Sequence, residues 1–150
     1  MLIYSSIITP RLRYITDFIG KEITGKPFEL TDDFTAFQNH SGPKINYSSE
    51  DIQNCELSIV NCQLLFQPGI TKQKIECFDI NGFKAFFKTS GDYLFDIFAA
   101  SFYLLSRYEE YLPHKKDMYG RFAYENSLAY NEKFLHLPLI NIWLEDFKKS

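Results

Sequence analysis

The sequence has few features that would direct a protein to the membrane, to export or to nucleic acid. No apolar run approaches the roughly 20 residues of a membrane-spanning helix, so no membrane span is predicted. The N-terminal residues lack the basic start, long apolar stretch and cleavage site of a secretory signal. Sixteen Lys and Arg against nineteen Asp and Glu leave a net charge of −3, which argues against a dedicated nucleic-acid binder.

Residues that bind metals or act as nucleophiles are also scarce. Cys55, Cys62 and Cys77 are an odd number without Cys-x-x-Cys spacing, so we expect reduced thiols in a cytoplasmic protein. The three histidines have no partner at helical metal-binding spacing, and no metal site is predicted. Neither a Gly-x-Ser-x-Gly elbow nor a glycine-rich phosphate loop occurs, and no cofactor is expected in this domain.

What the sequence does contain is the composition of one globular domain. Its 150 residues are 45% hydrophobic and 23% charged, which excludes wholesale disorder. A chain of this length buries about 70% of its unfolded surface without a disulfide or metal. We therefore treat residues 1–150 as a single domain.

The first fifty residues alternate between strand and helix patterns. Thr9 is a good N-cap, Pro10 suits a first helical turn, and Gly25 ends the helix predicted over 10–24. Short strands are predicted at 2–5, 28–31 and 44–47, with a short helix after the second. This rhythm predicts parallel pairing with crossover connections.

The middle of the chain is more strand-like. Asn81-Gly82 is a strong hairpin signal between apolar runs. The predicted strands are 57–60, 63–66, 74–78 and 83–87. They predict an antiparallel meander or two hairpins.

Two helices are predicted in the last third. Residues 93–112 are apolar around nearly the whole circumference, as in a buried helix, with Asp92 as cap and Pro113 as stop. The final helix, 138–149, has no stop signal, and we expect the chain to be a fragment of a longer protein. The predicted fold is α/β: a mixed β-sheet, parallel in its N-terminal part and antiparallel in the middle, covered by three main helices. Whether one or both faces are covered stays open.

A polar, turn-rich segment of unusual length follows the buried helix. Long ordered loops often carry function, and 113–137 adjoins a cluster of charges at the end of the helix. The candidate ligand or interdomain contacts are Arg107, Tyr108, Glu109, Glu110, Asp117 and Arg121. The same residues also fit a structural network, with ion pairs Arg107–Glu110 or Glu109–Arg121. Glu109 and Glu110 point about 100° apart on a helix, so no catalytic dyad is predicted.

Aromatic side chains are abundant around the same segment. They could stack on sugar rings, or they could simply fill the core, as aromatics usually do. The residues concerned are Tyr108, Tyr111, Tyr119, Phe122, Tyr124 and Tyr130.

Several stretches together resemble a known domain. They are LIYSS at the start, GPKINYS at 42–48, and the pattern SRYEEYLP…D..GRF…S..Y between 106 and 130. The chain looks like the N-terminal domain that precedes a polysaccharide-deacetylase-type catalytic domain in Bacteroidetes proteins. The family motif residues present are Ser106, Arg107, Tyr108, Glu109, Glu110, Tyr111, Pro113, Gly120, Arg121, Phe122 and Ser127.

The resemblance implies an accessory role. Deacetylases of that type hold a divalent metal with an Asp and two His spaced His-x-x-x-His, and this chain has no such pattern. The metal is therefore expected only in a separate catalytic domain, and no catalytic residue is transferred here. The expected partners are the protein's own C-terminal deacetylase domain and a glycan.

Three functional hypotheses follow. The first is a non-catalytic accessory domain that packs on a deacetylase domain, exposes an apolar docking patch and helps position glycan. The second is a small stand-alone hydrolase with an acidic and arginine-lined cleft around 107–121. The third, a nuclease-like fold, lacks the Glu-x-Lys that it needs.

Overall fold

The computed structural model describes residues 1–60 and 74–150. It confirms the α/β class, with a four-stranded parallel sheet and a two-stranded antiparallel sheet. The strands are β1 (Leu2–Tyr4), β2 (Glu29–Thr31), β3 (Lys44–Ser48), β4 (Leu57–Val60), β5 (Cys77–Ile80) and β6 (Phe83–Phe86). The helices are α1 (Pro10–Thr24), α2 (Phe34–Asn39), α3 (Ile97–Leu105), α4 (Leu128–Asn131) and α5 (Leu139–Phe147), with 3₁₀ turns at Tyr108–Tyr111 and Tyr124–Asn126. The predicted strand 63–66 and Cys62 lie outside the described residues.

Helix α1 has the predicted bounds because both of its ends are specified locally. The Thr9 hydroxyl accepts a hydrogen bond from the Leu12 N–H at 3.1 Å, and Pro10 occupies the first turn. At the other end Gly25 adopts φ 75°, and its N–H bonds to the Lys21 carbonyl. The helix buries Leu12 and Ile15 in the core.

The parallel sheet has the strand order β2-β1-β3-β4, with every neighbouring pair parallel. The chain moves outward from β1 to β2 and then crosses back over β1 to β3. A reversal of direction with crossovers of one hand places the two connecting helices on opposite faces. The N-terminal parallel pairing is thus confirmed, and it extends to β4, which was predicted to be antiparallel.

The side chains of the sheet show that both faces are covered. On one face Ile45 and Tyr47 enter the main core, where the Tyr47 ring lies 5.3 Å from that of Phe98 in α3. On the other face the Tyr4 ring lies 5.4 Å from Phe37 of α2. Because successive strand residues alternate between faces, this arrangement answers the question that the sequence left open.

The antiparallel hairpin forms around Asn81-Gly82 as predicted. Asn81 has φ 48° and Gly82 has φ 83°, the left-handed conformations of a tight two-residue hairpin turn. Strands β5 and β6 pair antiparallel as a separate two-stranded sheet instead of extending the parallel one.

The helix predicted over 93–112 is wrong at both ends. It begins at Ile97 because the Asp96 carboxylate accepts the Ala99 N–H at 2.9 Å, while Phe95 pairs with Lys88 in extended backbone. Asp92, the predicted cap, accepts the Ser58 N–H of β4 at 3.0 Å instead. The α-helix ends at Leu105, since Arg107 turns left-handed and a separate 3₁₀ turn follows.

The final helix is confirmed with shorter bounds, Leu139–Phe147 against the predicted 138–149. Pro138 precedes it, and Trp143, fully buried, faces the core. Within residues 1–60 and 74–150, no helix has the length and apolarity that crossing a membrane requires.

Candidate ligand-binding cleft

The candidate site begins where α3 ends. Arg107 has φ 50° and ψ 45°, a left-handed conformation that is uncommon for a residue with a side chain. The turn redirects the chain into the 3₁₀ turn Tyr108–Tyr111, and it brings the Arg107 guanidinium into an ion pair with Glu110. One of the two predicted ion-pair alternatives is therefore formed.

Asp117 organises the next turn. Its Oδ1 accepts the backbone N–H groups of Tyr119 at 2.8 Å and Arg121 at 2.9 Å. Its Oδ2 accepts a hydrogen bond from Arg121 Nε at 3.1 Å and lies 3.0 Å from Nη2 of the same ion pair. The Arg121 backbone N–H, joined by that of Tyr119 and the Arg121 side chain, lowers the pKa of the Asp117 carboxyl. Gly120, at φ 78°, allows the tight reversal between them.

These two turns face one another across a cavity of about 570 Å³, which we call the cleft. Four of the six predicted residues line the cleft, namely Arg107, Glu110, Asp117 and Arg121. The other lining residues are Phe122, Ala123, Tyr124 and Glu125. Sequence reasoning did not select Glu125, whose one signal is its position four residues after Arg121.

The other two predicted residues, Tyr108 and Glu109, lie behind the cleft. Tyr108 is buried, with the Arg11 guanidinium 5.6 Å from its ring centroid. Glu109 Oε1 accepts the Leu128 N–H at 2.6 Å and the Tyr103 hydroxyl at 3.4 Å. The predicted alternative pair between Glu109 and Arg121 is not formed, because Arg121 binds Asp117. Glu109 thus joins α3 to the start of α4.

Burial of Glu109 changes its ionisation. Desolvation raises the pKa of this carboxyl, and the charge of Glu110 acts in the same direction. The hydrogen bonds from Leu128 and Tyr103 oppose that rise without cancelling it. Desolvation, together with the charge of Glu109, also raises the pKa of the Tyr103 hydroxyl. Glu109 and Tyr103 therefore form a half-buried hydrogen-bonded pair.

The aromatic side chains divide between the core and the surface. Tyr119 and Tyr124 are exposed, the first 4.9 Å beneath the Arg121 guanidinium and the second on the wall of the cleft. The Tyr124 ring meets that of Tyr130 edge-on at 5.3 Å. Tyr108 is buried, and Phe122 packs at 4.9 Å on His114. The core role is therefore confirmed for Tyr108, while stacking on sugar by the exposed rings stays a prediction.

The cleft holds two of its acids, Glu110 and Asp117, in ion pairs. Both of its paired acids are engaged by arginines, and a lowered pKa makes Asp117 a poor proton donor near neutral pH. In the part of the chain that the structure describes, no group of three His, Cys, Asp or Glu has the arrangement of a metal site.

The cysteines that the structure describes are inert in character. Cys55 and Cys77 are half-buried free thiols. Burial raises the pKa of Cys77 to about 11 and also raises that of Cys55. Few thiolates therefore form near neutral pH, as expected for thiols in apolar surroundings.

Comparison with known proteins gives one match. The model of a family of unknown function, DUF7033, matches residues 1–150. No curated protein and no solved structure matches the chain. The family description assigns no activity, so the expected relation to polysaccharide deacetylases stays a prediction.

Proposed function

Because the chain belongs over its whole length to DUF7033, a family of unknown function, we infer its role from the geometry of the cleft. We propose that it is a non-catalytic accessory domain that binds glycan. The cleft of residues 107–125 is the proposed contact. Its walls combine the exposed ring of Tyr124 with charged side chains, which suits the flat faces and hydroxyl groups of sugars.

The observation that carries the proposal is the state of the acids in the cleft. Asp117 accepts three hydrogen bonds, two from backbone N–H groups and one from Arg121 Nε, and it forms an ion pair with Nη2 of the same arginine. Glu110 is paired with Arg107. A general base or nucleophile needs a carboxylate that reaches the substrate, whereas these carboxylates fix the turns that shape the cleft.

The proposed partner is a polysaccharide-deacetylase domain of the same protein, with the divalent metal held in that domain. The proposed compartment is the cytoplasm. The resemblance in residues 106–130 supports the partner, and so does a surface rich in exposed apolar side chains. Four of these side chains fall between residues 111 and 137, namely Tyr111, Met118, Leu135 and Leu137. Reading the coding region around these 150 residues tests this point, since the proposal requires an encoded His-x-x-x-His.

Glycan binding is tested by isothermal titration of the chain with neutral and acidic hexasaccharides. Tyr124→Ala removes an exposed ring from the cleft wall, and we expect affinity to fall by roughly tenfold or more, about 1.4 kcal/mol. Tyr14→Ala is the matched control, because Tyr14 is equally exposed but lies on α1, away from the cleft. Equal losses in both variants, or no binding to any glycan, contradict the proposal.

A small hydrolase is the second candidate, because Glu110, Asp117 and Arg121 share one cavity. A hydrolase would cleave acetyl esters or acetylated amino sugars, and Glu110→Gln would abolish that activity. We expect no turnover above the uncatalysed rate, measured by acetate release from acetylated hexasaccharides. Turnover that Glu110→Gln removes would replace the accessory role with an enzymatic one.

A further inference from the structure

We propose that the cleft selects an acidic sugar, whose carboxylate is held between the guanidinium groups of Arg107 and Arg121. The inference rests on the proposed glycan-binding function and names the class of its ligand. It requires that both arginines face the ligand, that they keep unused hydrogen-bond donors, and that they are fixed in position.

The two ion pairs of the cleft present their arginines outward. The side chain of Arg107 is 75% exposed and that of its partner Glu110 is 33% exposed. Arg121 is 71% exposed and Asp117 is 27% exposed. Among the other ion pairs of the described residues, Lys84–Asp79 and Lys148–Glu145 have the acid more exposed, whereas Lys21–Asp17 and Lys74–Glu76 have the same order as the cleft pairs. A ligand entering the cleft therefore meets guanidinium groups before it meets carboxylates.

Donors remain available on both arginines. A guanidinium carries five N–H groups, and Asp117 engages Arg121 through Nε and Nη2 alone. Glu110 engages Arg107 through Nη2. Arginine binds carboxylates through paired, parallel N–H···O bonds, and among the described residues the two ion pairs leave one edge of each side chain for such bonds.

The acids also fix the arginines before any ligand arrives. Arg121 is held at one edge by Asp117, while its face lies 4.9 Å from the centroid of the Tyr119 ring. A long side chain that is already ordered loses less conformational entropy on binding. The adjoining exposed rings of Tyr119 and Tyr124 provide apolar area for the sugar itself.

The overall charge restricts the ligand to a sugar acid with few charges. Each arginine is neutralised by its partner, Glu125 adds a negative charge to the cleft, and the whole chain carries −3. A polyanion of high charge density, such as nucleic acid, would be repelled at long range. A single carboxylate is instead recognised through short hydrogen bonds, which salt weakens only modestly.

A matched pair of ligands tests the inference. Galacturonate carries one carboxylate, and its methyl ester has the same sugar ring without charge. We expect the chain to bind the acid about tenfold more tightly than the ester, because charge-assisted hydrogen bonds are about twice as strong as neutral ones. Isothermal titration at two salt concentrations measures this preference.

Variants locate the preference in the cleft. Arg121→Gln should remove most of it, whereas Arg13→Gln, an exposed arginine on α1, should leave it unchanged. Glu125→Gln removes a repulsive charge without touching either ion pair, so it should strengthen acid binding. That gain keeps the inference testable if Arg121→Gln disturbs the turn around Asp117.

The outcomes separate the inference from the proposed function. Equal binding of acid and ester, with loss in Tyr124→Ala, overturns the acidic ligand and keeps the glycan-binding role. Failure of every saccharide to bind overturns both. A preference for acid that Arg13→Gln reduces as much as Arg121→Gln also overturns the inference, because the charge effect would then be global.

Discussion

At the scale of single residues, Glu109 shows how a carboxylate can be structural in a segment selected for function. It lies behind the cleft, half-buried, and accepts the N–H of Leu128, 19 positions further along the chain. This bond fixes the start of α4 against the end of α3. The hydrogen bond between Glu109 and Leu128 therefore fixes the end of the long segment that forms the far wall of the cleft.

Glu109→Gln tests the cost of burying that charge. A raised pKa means that the folded state binds the proton more tightly, so the stability from this group is full below the ordinary value of 4.5. That stability is lost as the pH rises through the raised pKa. Gln keeps an acceptor oxygen for Leu128 without the charge. We expect the variant to gain stability relative to the native chain between about pH 4.5 and neutral pH.

Urea unfolding at several pH values measures this difference. Glu22→Gln on α1 is the matched control, because Glu22 is exposed. A stability difference for Glu109→Gln that does not change with pH would show that burial of the carboxylate has no net cost.

At this scale the sequence predicted the Arg107–Glu110 pair, whose members are three positions apart, so that one turn of chain brings them together. The Asp117–Arg121 pair was not predicted, although its members are only four positions apart. The Glu109 bond to Leu128 depends on the fold and has no local signal. The left-handed turn at Arg107 is likewise invisible in a sequence whose local pattern continues as helix.

At the scale of elements, the start of α3 shows how tertiary contacts select between two caps. Asp92 and Asp96 are both suitable N-caps by residue type. Asp96 caps the helix, is fully buried, and also accepts the Tyr47 hydroxyl of β3 at 2.8 Å. Asp92 is drawn to the Ser58 N–H of β4. The helix therefore begins four residues later than its apolar pattern suggests.

Asp96→Ala and Asp92→Ala are a matched pair of variants that tests which aspartate caps α3. Asp96→Ala removes a helix cap and a buried partner of Tyr47, and we expect it to lower the free energy of unfolding by about 2–4 kcal/mol. Asp92→Ala removes one exposed acceptor and should cost less than about 1.5 kcal/mol. Chemical denaturation followed by circular dichroism measures both. The reverse order would place the helix start near residue 93.

Elements with strong local signals were predicted accurately. The Thr9-Pro10 start and Gly25 end of α1 and the Asn81-Gly82 turn are specified by backbone preferences that few residues share. The pairing of β4 was not predictable in this way, because a short apolar strand fits parallel and antiparallel neighbours alike.

At the scale of the whole molecule, one core unites the parallel sheet, the hairpin and the helices. Trp143 of α5 is fully buried and lies 5.4 Å from Phe86 of the hairpin and 5.3 Å from Phe95. Its indole N–H bonds to the Lys84 carbonyl at 2.8 Å. The separate two-stranded sheet is thus fixed to the rest of the domain through α5.

Trp143→Phe tests whether the hairpin and the rest of the domain unfold together. The change removes the indole N–H and part of a buried ring, and we expect stability to fall by about 2–3 kcal/mol in a single transition. Tyr14→Phe, at an exposed position, should change stability by less than about 0.5 kcal/mol. Urea unfolding followed by far- and near-ultraviolet circular dichroism compares them. Separate transitions for the two signals would show that the hairpin unfolds on its own.

The same core has a consequence for synthesis on the ribosome. Ile3 of β1 and Phe147 of α5 belong to one apolar cluster, so the interior closes between opposite ends of these 150 residues. The four parallel strands emerge before α3 and α5, which complete the main core on one face of the sheet. During that interval the nascent chain carries an uncovered apolar face, the kind of surface that chaperones bind. Codon changes that slow translation between β4 and α3 should therefore increase misfolding more than similar changes near α5.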